Sequence, residues 1–247
     1  LGDVYKRQEI VRGGGRFSVY LQAFLHYLKE LRKKNFDVVI DDINAVPFFT
    51  PLYVWKKKVA VVHHVHGWKI ISLELKWYQA ILAWLAEKLI PLIYFSTPFV
   101  TVSKSTEREL KKMWVRKIFI VPNGIDASLF QHSRIKKSKK PSVIYLGRWK
   151  KYKRINLLIK AFEIVKSRIK NAELWLVGNG SKKFARMRGV KVFGKVNDRK
   201  KKELLSKAWV FVSPSMKEGW GVTVIEANAC ATPCIAYDVP GLRDSIV

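Results

Sequence analysis

The chain has 247 residues, 49% hydrophobic and 13% aromatic, which is enough to bury one large core or two small ones and excludes a disordered composition. Lys and Arg number 47 against 19 Asp and Glu, a formal charge of +28. The excess is even, 25 basic to 11 acidic side chains over residues 1–140 and 22 to 8 beyond, so no basic tail carries it and the field surrounds the whole molecule.

From Phe17 to Arg32 apolar residues recur at helical spacing, which predicts a helix. The β-branched runs FDVVIDD (36–42) and KVAVVHHV (58–65) predict buried strands. A second, aromatic-rich helix is expected from Leu73 to Leu89, stopped near Pro91. PFVTVS (98–103) reads as a strand and KSTERELKKMW (104–114) as a helix, with Ser103 or Ser105 as its cap. KIFIVPNGID (117–126) is a strand entering an Asn-Gly turn. SLFQHSRIKKSKKP (128–141) loses the pattern and gains charge, so a linker is expected there.

The rhythm then restarts. Strands are expected at 142–148, 172–180, 190–196, 209–215 and 233–238, and helices at 155–169, 198–208 and 222–231. Alternation of this kind predicts parallel sheets covered on both faces, in two doubly wound domains with a cleft between them. Their expected extents are 1–135 and 136–247. LGDVYKRQ (1–8) bears no clear relation to the rest of the chain and reads as non-native. The chain stops just after a strand and a turn, so it is read as a fragment with both domains incomplete. Cys230 and Cys234 are too few for a disulfide framework and lack a histidine cluster for zinc; they read as small buried hydrophobes of a reducing compartment. No secretory signal is visible, and the most lipid-like stretch (82–95) is interrupted by Glu87, Lys88 and Pro91.

In open parallel sheets, ligands bind beyond the carboxyl ends of strands, so those ends carry the candidate chemistry. Strand 142–148 ends in GRWKKYKR, where Gly147 admits a ligand and Arg148 and Lys153 suit a diphosphate, one as a fork of donors and one as a point charge. Strand 172–177 ends in a Gly178–Gly180 loop that lets backbone approach a base or phosphate. Strand 209–213 ends in SPSMKEGWG. A helix beginning near Val222 aims free N–H groups at that loop, with Gly219 and Gly221 clearing space for phosphate oxygens. Glu226, one turn into the helix, is placed to accept both hydroxyls of a vicinal diol, and Glu218 lies where a sugar beyond the phosphates would sit.

EGWGVTVIEANACATP resembles the Glu-x7-Glu signature of the family 4 (group 1) glycosyltransferases, and YLGRWKKYKRINLLIKAF resembles that family's Gly-Arg-x4-Lys diphosphate loop. LWLVGNG, IVPNGID and VTVSKSTEREL sit in the family's order and spacing, and the resemblance runs from about Phe36 to the last residue. It implies the GT-B architecture, two Rossmann-like domains facing across a cleft. It also implies a retaining hexosyltransferase that needs no metal or other cofactor. Arg148 and Lys153 would hold the donor diphosphate, Glu226 the ribose, Glu218 the transferred sugar, and the amides from Gly219 through Trp220 and Gly221 to Val222 the phosphates. His63 or His64 falls where the family has a histidine reaching the donor sugar; His66 reads as structural.

Two positions depart from the pattern: Arg154 stands where the family usually has Gly, adding charge near the phosphates, and Ala231 replaces another usual Gly, read as a packing change. The family's first strand with its glycine loop has no counterpart, since RGGG (12–15) precedes a helix without a strand before it. The expected partners are a UDP- or GDP-linked sugar and a glycan or lipid-linked acceptor. The expected place is the cytoplasm, peripheral on the inner face of the plasma membrane, where the basic surface and the aromatic segment 68–94 would meet anionic lipid. The charge also fits a non-catalytic binder of nucleic acid or anionic surfaces, but no nucleic-acid recognition motif accompanies it. A glycoside hydrolase with Glu218 and Glu226 as its acid/base pair leaves Arg148 and Lys153 without a purpose.

Overall fold

The computed structural model describes residues 9–15, 17–126, 130, 135–180 and 182–246. The segment read as non-native (1–8) and most of the first half of the expected linker lie outside them.

Two parallel sheets form. The first runs β1 (Val39–Ile43), β2 (Lys58–Val62), β3 (Phe99–Thr101) and β4 (Ile118–Ile120), in that spatial order. The second holds β5 (Ser142–Leu146), β6 (Glu173–Val177), β7 (Val190–Gly194), β8 (Val210–Ser213) and β9 (Cys234–Ala236), in the order β7-β6-β5-β8-β9. That order is doubly wound: the chain leaves β5 toward one edge and returns to its other side at β8, creating a switch point between them. β6 is buried at all five positions, as a central strand covered on both faces must be.

The helices are α1 (Val19–Lys29), α2 (Gly67–Glu74), α3 (Trp77–Ile93), α4 (Lys104–Lys112), α5 (Ile155–Arg168), α6 (Asp198–Lys207), α7 (Val222–Ala229) and the short α8 (Leu242–Ser245). Caps fix several of their starts. Ser103, not Ser105, caps α4, its Oγ accepting from Thr106 N at 3.1 Å, and Asn197 Oδ1 accepts from Lys200 N at 2.9 Å to start α6. α5 buries Ile155, Leu158, Ile159 and Phe162, one stripe at helical spacing, against one face of the second sheet. Leu204 and Leu205 of α6, Val224 and Ala227 of α7, and Leu242 close the opposite face around Ile144 and Phe211.

The first half corrects three expectations. The helix expected at 73–89 is two helices, broken where Lys76 adopts an extended conformation. The second of them runs through Pro91 to Ile93; a proline in the last turn costs one backbone bond, and buried Ile90 and Tyr94 hold that turn in the core. Coverage on both faces holds only for the second sheet. In the first, Ile43, Ala60, Val62 and Phe99 are buried on one face, whereas Ile40 and Phe119 on the other are 62% and 60% exposed. Cys230 is buried as expected, but Cys234 is only half-buried; both are free thiols. Among the described residues no helix is long and apolar enough to cross a membrane.

Candidate functional site

The carboxyl ends of β5 and β8 flank the switch point, and the loops beyond them meet. The β5 loop tightens into a 3-10 turn at Lys151–Lys153, and Met216 N donates to Tyr152 O at 2.9 Å, tying the β8 loop to it. This contact brings together two residues that lie 65 apart in the chain: Lys153 Nζ is ion-paired with Glu218 Oε1, the two side chains only 15% and 17% exposed. Lys153 also stands over the Tyr152 ring, 5.2 Å from its centroid. Burial, and then the Glu218 carboxylate, push the phenols of Tyr145 and Tyr152 above the ordinary tyrosine range. Tyr145 Oη donates to the Arg148 carbonyl at 3.1 Å, fixing the backbone of the loop while Arg148 itself is exposed.

α7 begins at Val222, as its sequence predicts, from Gly221 in the left-handed conformation at φ 81°. The two glycines expected to clear room for phosphates have protein neighbours instead. A Cβ at Gly219 would lie 2.6 Å from the His63 carbonyl oxygen, and one at Gly221 2.9 Å from Ser245 Oγ. Gly219 is therefore the point where the β8 loop touches the backbone of the first half. At the neighbouring strand ends, Gly147 N bonds Val177 O at 3.0 Å and Gly178 N bonds Gly194 O at 2.7 Å, so both glycines are built into the strand-end backbone. Trp220 is half-buried, and its indole Nε1 has no protein partner. Glu226 is buried on α7, its Oε1 held 2.7 Å from Lys201 Nζ of α6.

The first half faces this site with the loop after β2 and the start of α4. Ser105 N donates to Asp244 Oδ1 at 3.2 Å, Lys217 pairs with Glu109 at 2.5 Å, and Glu74 accepts from Lys151 N at 3.0 Å and Lys150 Nζ at 3.2 Å. The two candidate histidines part company. His63 is exposed and turns to Asp42 Oδ1 at 3.5 Å. His64 stacks against His66, ring centroids 4.1 Å apart, and is pushed down to about 3 by burial first, then by His66 and by the ammonium groups of Lys217 and Lys153. It is a neutral imidazole facing the second half. Glu87, which interrupts the apolar run of α3, accepts from His66 N at 2.7 Å and Gly67 N at 2.8 Å, anchoring the loop that carries these histidines. A cavity of about 290 Å3, lined by Tyr20, Val46, His66, Ile70, Arg148 and Tyr152 among others, opens between the halves.

Both departures from the family's glycines sit in left-handed backbone, Arg154 at φ 51° and Ala231 at φ 53°. The glycine usual at each place answers a conformational demand that the sequence reading took for charge and packing. Lys201, Lys217, Glu74, Glu109 and Tyr145 escaped sequence reasoning; Lys201 sits in the basic run DRKKKELL, where nothing singles out one lysine. No group of three His, Cys, Asp or Glu side chains converges as a metal site among the described residues.

The sequence model described as "Glycosyltransferase Family 4" matches residues 4–129, and that described as "Glycosyl transferases group 1" matches residues 128–247. The phosphatidyl-myo-inositol mannosyltransferase of Mycolicibacterium smegmatis is 25% identical over 227 residues, 87% of this chain and 57% of the relative. Sucrose-phosphate synthase from Thermosynechococcus elongatus superimposes with a TM-score of 0.72 at 19% identity, over 96% of this chain and 65% of that one. Anabaena Alr3699/HepE, solved in complex with UDP-glucose, gives 0.67 at 14% identity, over 91% and 64%. At these identities the solved structures speak for the fold, GT-B with Rossmann-like domains. The chain spans about half the length of the curated relatives it matches.

Proposed function

This chain belongs to the family 4, group 1 glycosyltransferases, and we propose that it carries the machinery to move a hexose, with retention, from a UDP- or GDP-linked sugar to a glycan or lipid-linked acceptor. The observation that carries the reading is the convergence of Lys153, Arg148, Glu218 and the α7 N-terminus at the switch point, opposite a neutral His64. In the proposed arrangement Arg148 and Lys153 neutralise the diphosphate as it leaves the anomeric carbon with the bonding electron pair, aided by the amides from Gly219 to Val222. Glu226 accepts the ribose hydroxyls and Glu218 those of the hexose. Of the two histidines, His64 is assigned to the donor sugar, because it lies within electrostatic reach of Lys217 and Lys153 whereas His63 turns to Asp42.

Residues 136–247 then form the donor-binding domain and 1–135 the acceptor side, with the cavity beside Arg148 and His66 receiving the acceptor. The HepE complex supports a UDP-sugar donor, and the name of the mannosyltransferase relative supports a lipid acceptor. A peripheral site on the cytoplasmic face of a membrane fits the outer side of α3, where Trp77, Leu82, Leu85 and Leu92 are exposed. Calorimetric titration of UDP-, GDP- and ADP-sugars tests the reading, with Glu226→Ala as control. Binding of one donor, weakened at least about tenfold by the substitution, is expected. A protein that bound none of them yet held DNA tightly at physiological salt would sink it.

A further inference from the structure

Lys201 belongs to none of the motifs, yet it touches the residue assigned to the ribose. Its Nζ lies 2.7 Å from Glu226 Oε1 and 3.0 Å from Asp198 Oδ1, and 4.7 Å from the centroid of the Phe130 ring. An ammonium has three N–H groups, and here two carboxylates and an aromatic face lie close around it. The partners are unequal: Asp198 is 64% exposed, whereas Lys201 and Glu226 are 18% and 9% exposed, so the pair with Glu226 is the one withdrawn from water. Burial works against the charge on Lys201, but the bonds from Glu226 and Asp198 outweigh it and hold the ammonium above the ordinary lysine value.

The consequence falls on Glu226. A carboxylate offers about four lone-pair positions, and Lys201 occupies one, on Oε1. The rest remain for a diol, but the plane and rotamer of the group are no longer free. A glutamate in the first turns of a helix has three side-chain torsions to fix before two hydroxyls can be accepted together, and a buried, charge-assisted bond from a neighbouring helix fixes them in advance. We propose that Lys201 is a positioning residue that orients the Glu226 carboxylate for the vicinal hydroxyls of a nucleotide ribose, and thereby sets the preference for ribonucleotides over nucleotides lacking those hydroxyls. The inference rests on the assignment of Glu226 to the ribose.

The test compares UDP and GDP with their 2′,3′-dideoxy counterparts by calorimetry. Wild type, Lys201→Met, Lys201→Gln, Lys201→Arg, Glu226→Gln and the Lys201→Met/Glu226→Gln double variant are titrated, and thermal midpoints establish which are folded. Wild type is expected to prefer the ribonucleotide by about tenfold or more, as charge-assisted bonds to hydroxyls imply. Lys201→Met and Lys201→Gln should bring that ratio close to one, as Glu226→Gln does, while Lys201→Arg retains most of it. In the Glu226→Gln background, removing Lys201 should change the ratio no further. A folded Met or Gln variant that keeps the wild-type ratio overturns the positioning role and leaves Lys201 as scaffold. A wild-type protein that binds nucleotide without preference overturns the Glu226 assignment itself, and the inference with it.

Discussion

Acid should loosen this protein through two histidines, and the amount follows from where they sit. His64 and His66 stack on one another under the second half of the chain, and burial pushes them down to about 3 and about 4. In the unfolded chain each titrates near 6.5. The folded state therefore refuses protons that the unfolded state accepts once the pH drops below that value. The stabilisation is complete above about pH 6.5 and is lost as the pH falls toward 4 and then 3. Each histidine costs about 1.4 kcal/mol per pH unit over that window, hence about 2 kcal/mol at pH 5 and about 4 kcal/mol for the pair. Against a total stability of about 5–15 kcal/mol this is a large fraction.

Other groups face the same pair. Lys217, Lys153 and His63 add to the penalty on His64, and Glu87, raised by its own burial, takes up a proton more readily folded than unfolded and so opposes the loss at the acid end. Urea unfolding of the wild type, His64→Asn and His66→Asn at intervals from pH 7 to pH 5 isolates each contribution by difference. Each substitution should flatten the dependence of unfolding free energy on pH by about 1.4 kcal/mol per unit. Parallel slopes in wild type and variants would mean that both rings accept protons in the folded state, and the half-buried, neutral His64 on which the donor-side assignment depends would be refuted.

Two further predictions rest on backbone. Arg154→Gly and Ala231→Gly each relieve a left-handed conformation that costs an ordinary residue about 1–2 kcal/mol; part of the gain is lost to the freer unfolded chain, leaving a net of about 0.5–1 kcal/mol each in urea midpoints. Glu87→Ala leaves the amides of His66 and Gly67 unpaired beside the core and should cost about 3 kcal/mol, while an unchanged midpoint would show that water replaces the carboxylate.

The second half of the chain was the more legible. Its strand β6 is buried at all five positions, turn residues separate its strands, and α7 starts at the residue its loop implies. Searching strand ends was enough to bring Arg148, Lys153, Gly219 and Glu218 to one place. α3 shows why the first half read less well. Its inward face is Ala80, Ala83, Glu87 and Ile90, two small residues, an acid and one isoleucine, while Trp77, Leu82, Leu85 and Leu92 are exposed. A reading that takes hydrophobicity for burial turns such a helix around. The family resemblance marks Arg154 and Ala231 as places where glycine is usual, but not the reason: φ belongs to the backbone, and neither side chain shows that its residue is left-handed. Lys201 was illegible because its importance is tertiary, created only when α6 packs beside α7.

Each of the two acids assigned to sugars is already paired with a lysine, Glu218 with Lys153 and Glu226 with Lys201. Under the proposed function these pairs differ in what a donor does to them. Lys153 is itself assigned to the diphosphate, so an arriving donor competes with Glu218 for it, and the carboxylate is released toward the hexose hydroxyls as the phosphates take the cation. Lys201 is already held by Glu226, Asp198 and the Phe130 ring and is assigned to no part of the donor. The ribose clamp is thus built before the ligand arrives, while the sugar clamp is completed by the ligand's own charge. A nucleotide without a sugar would engage the first fully and leave the second open. A free hexose, bringing no phosphate, would find Glu218 still held. Under the proposed function that asymmetry gives the nucleotide portion the leading part in binding, and it accounts for two acids at the centre of an anion site on a chain of +28.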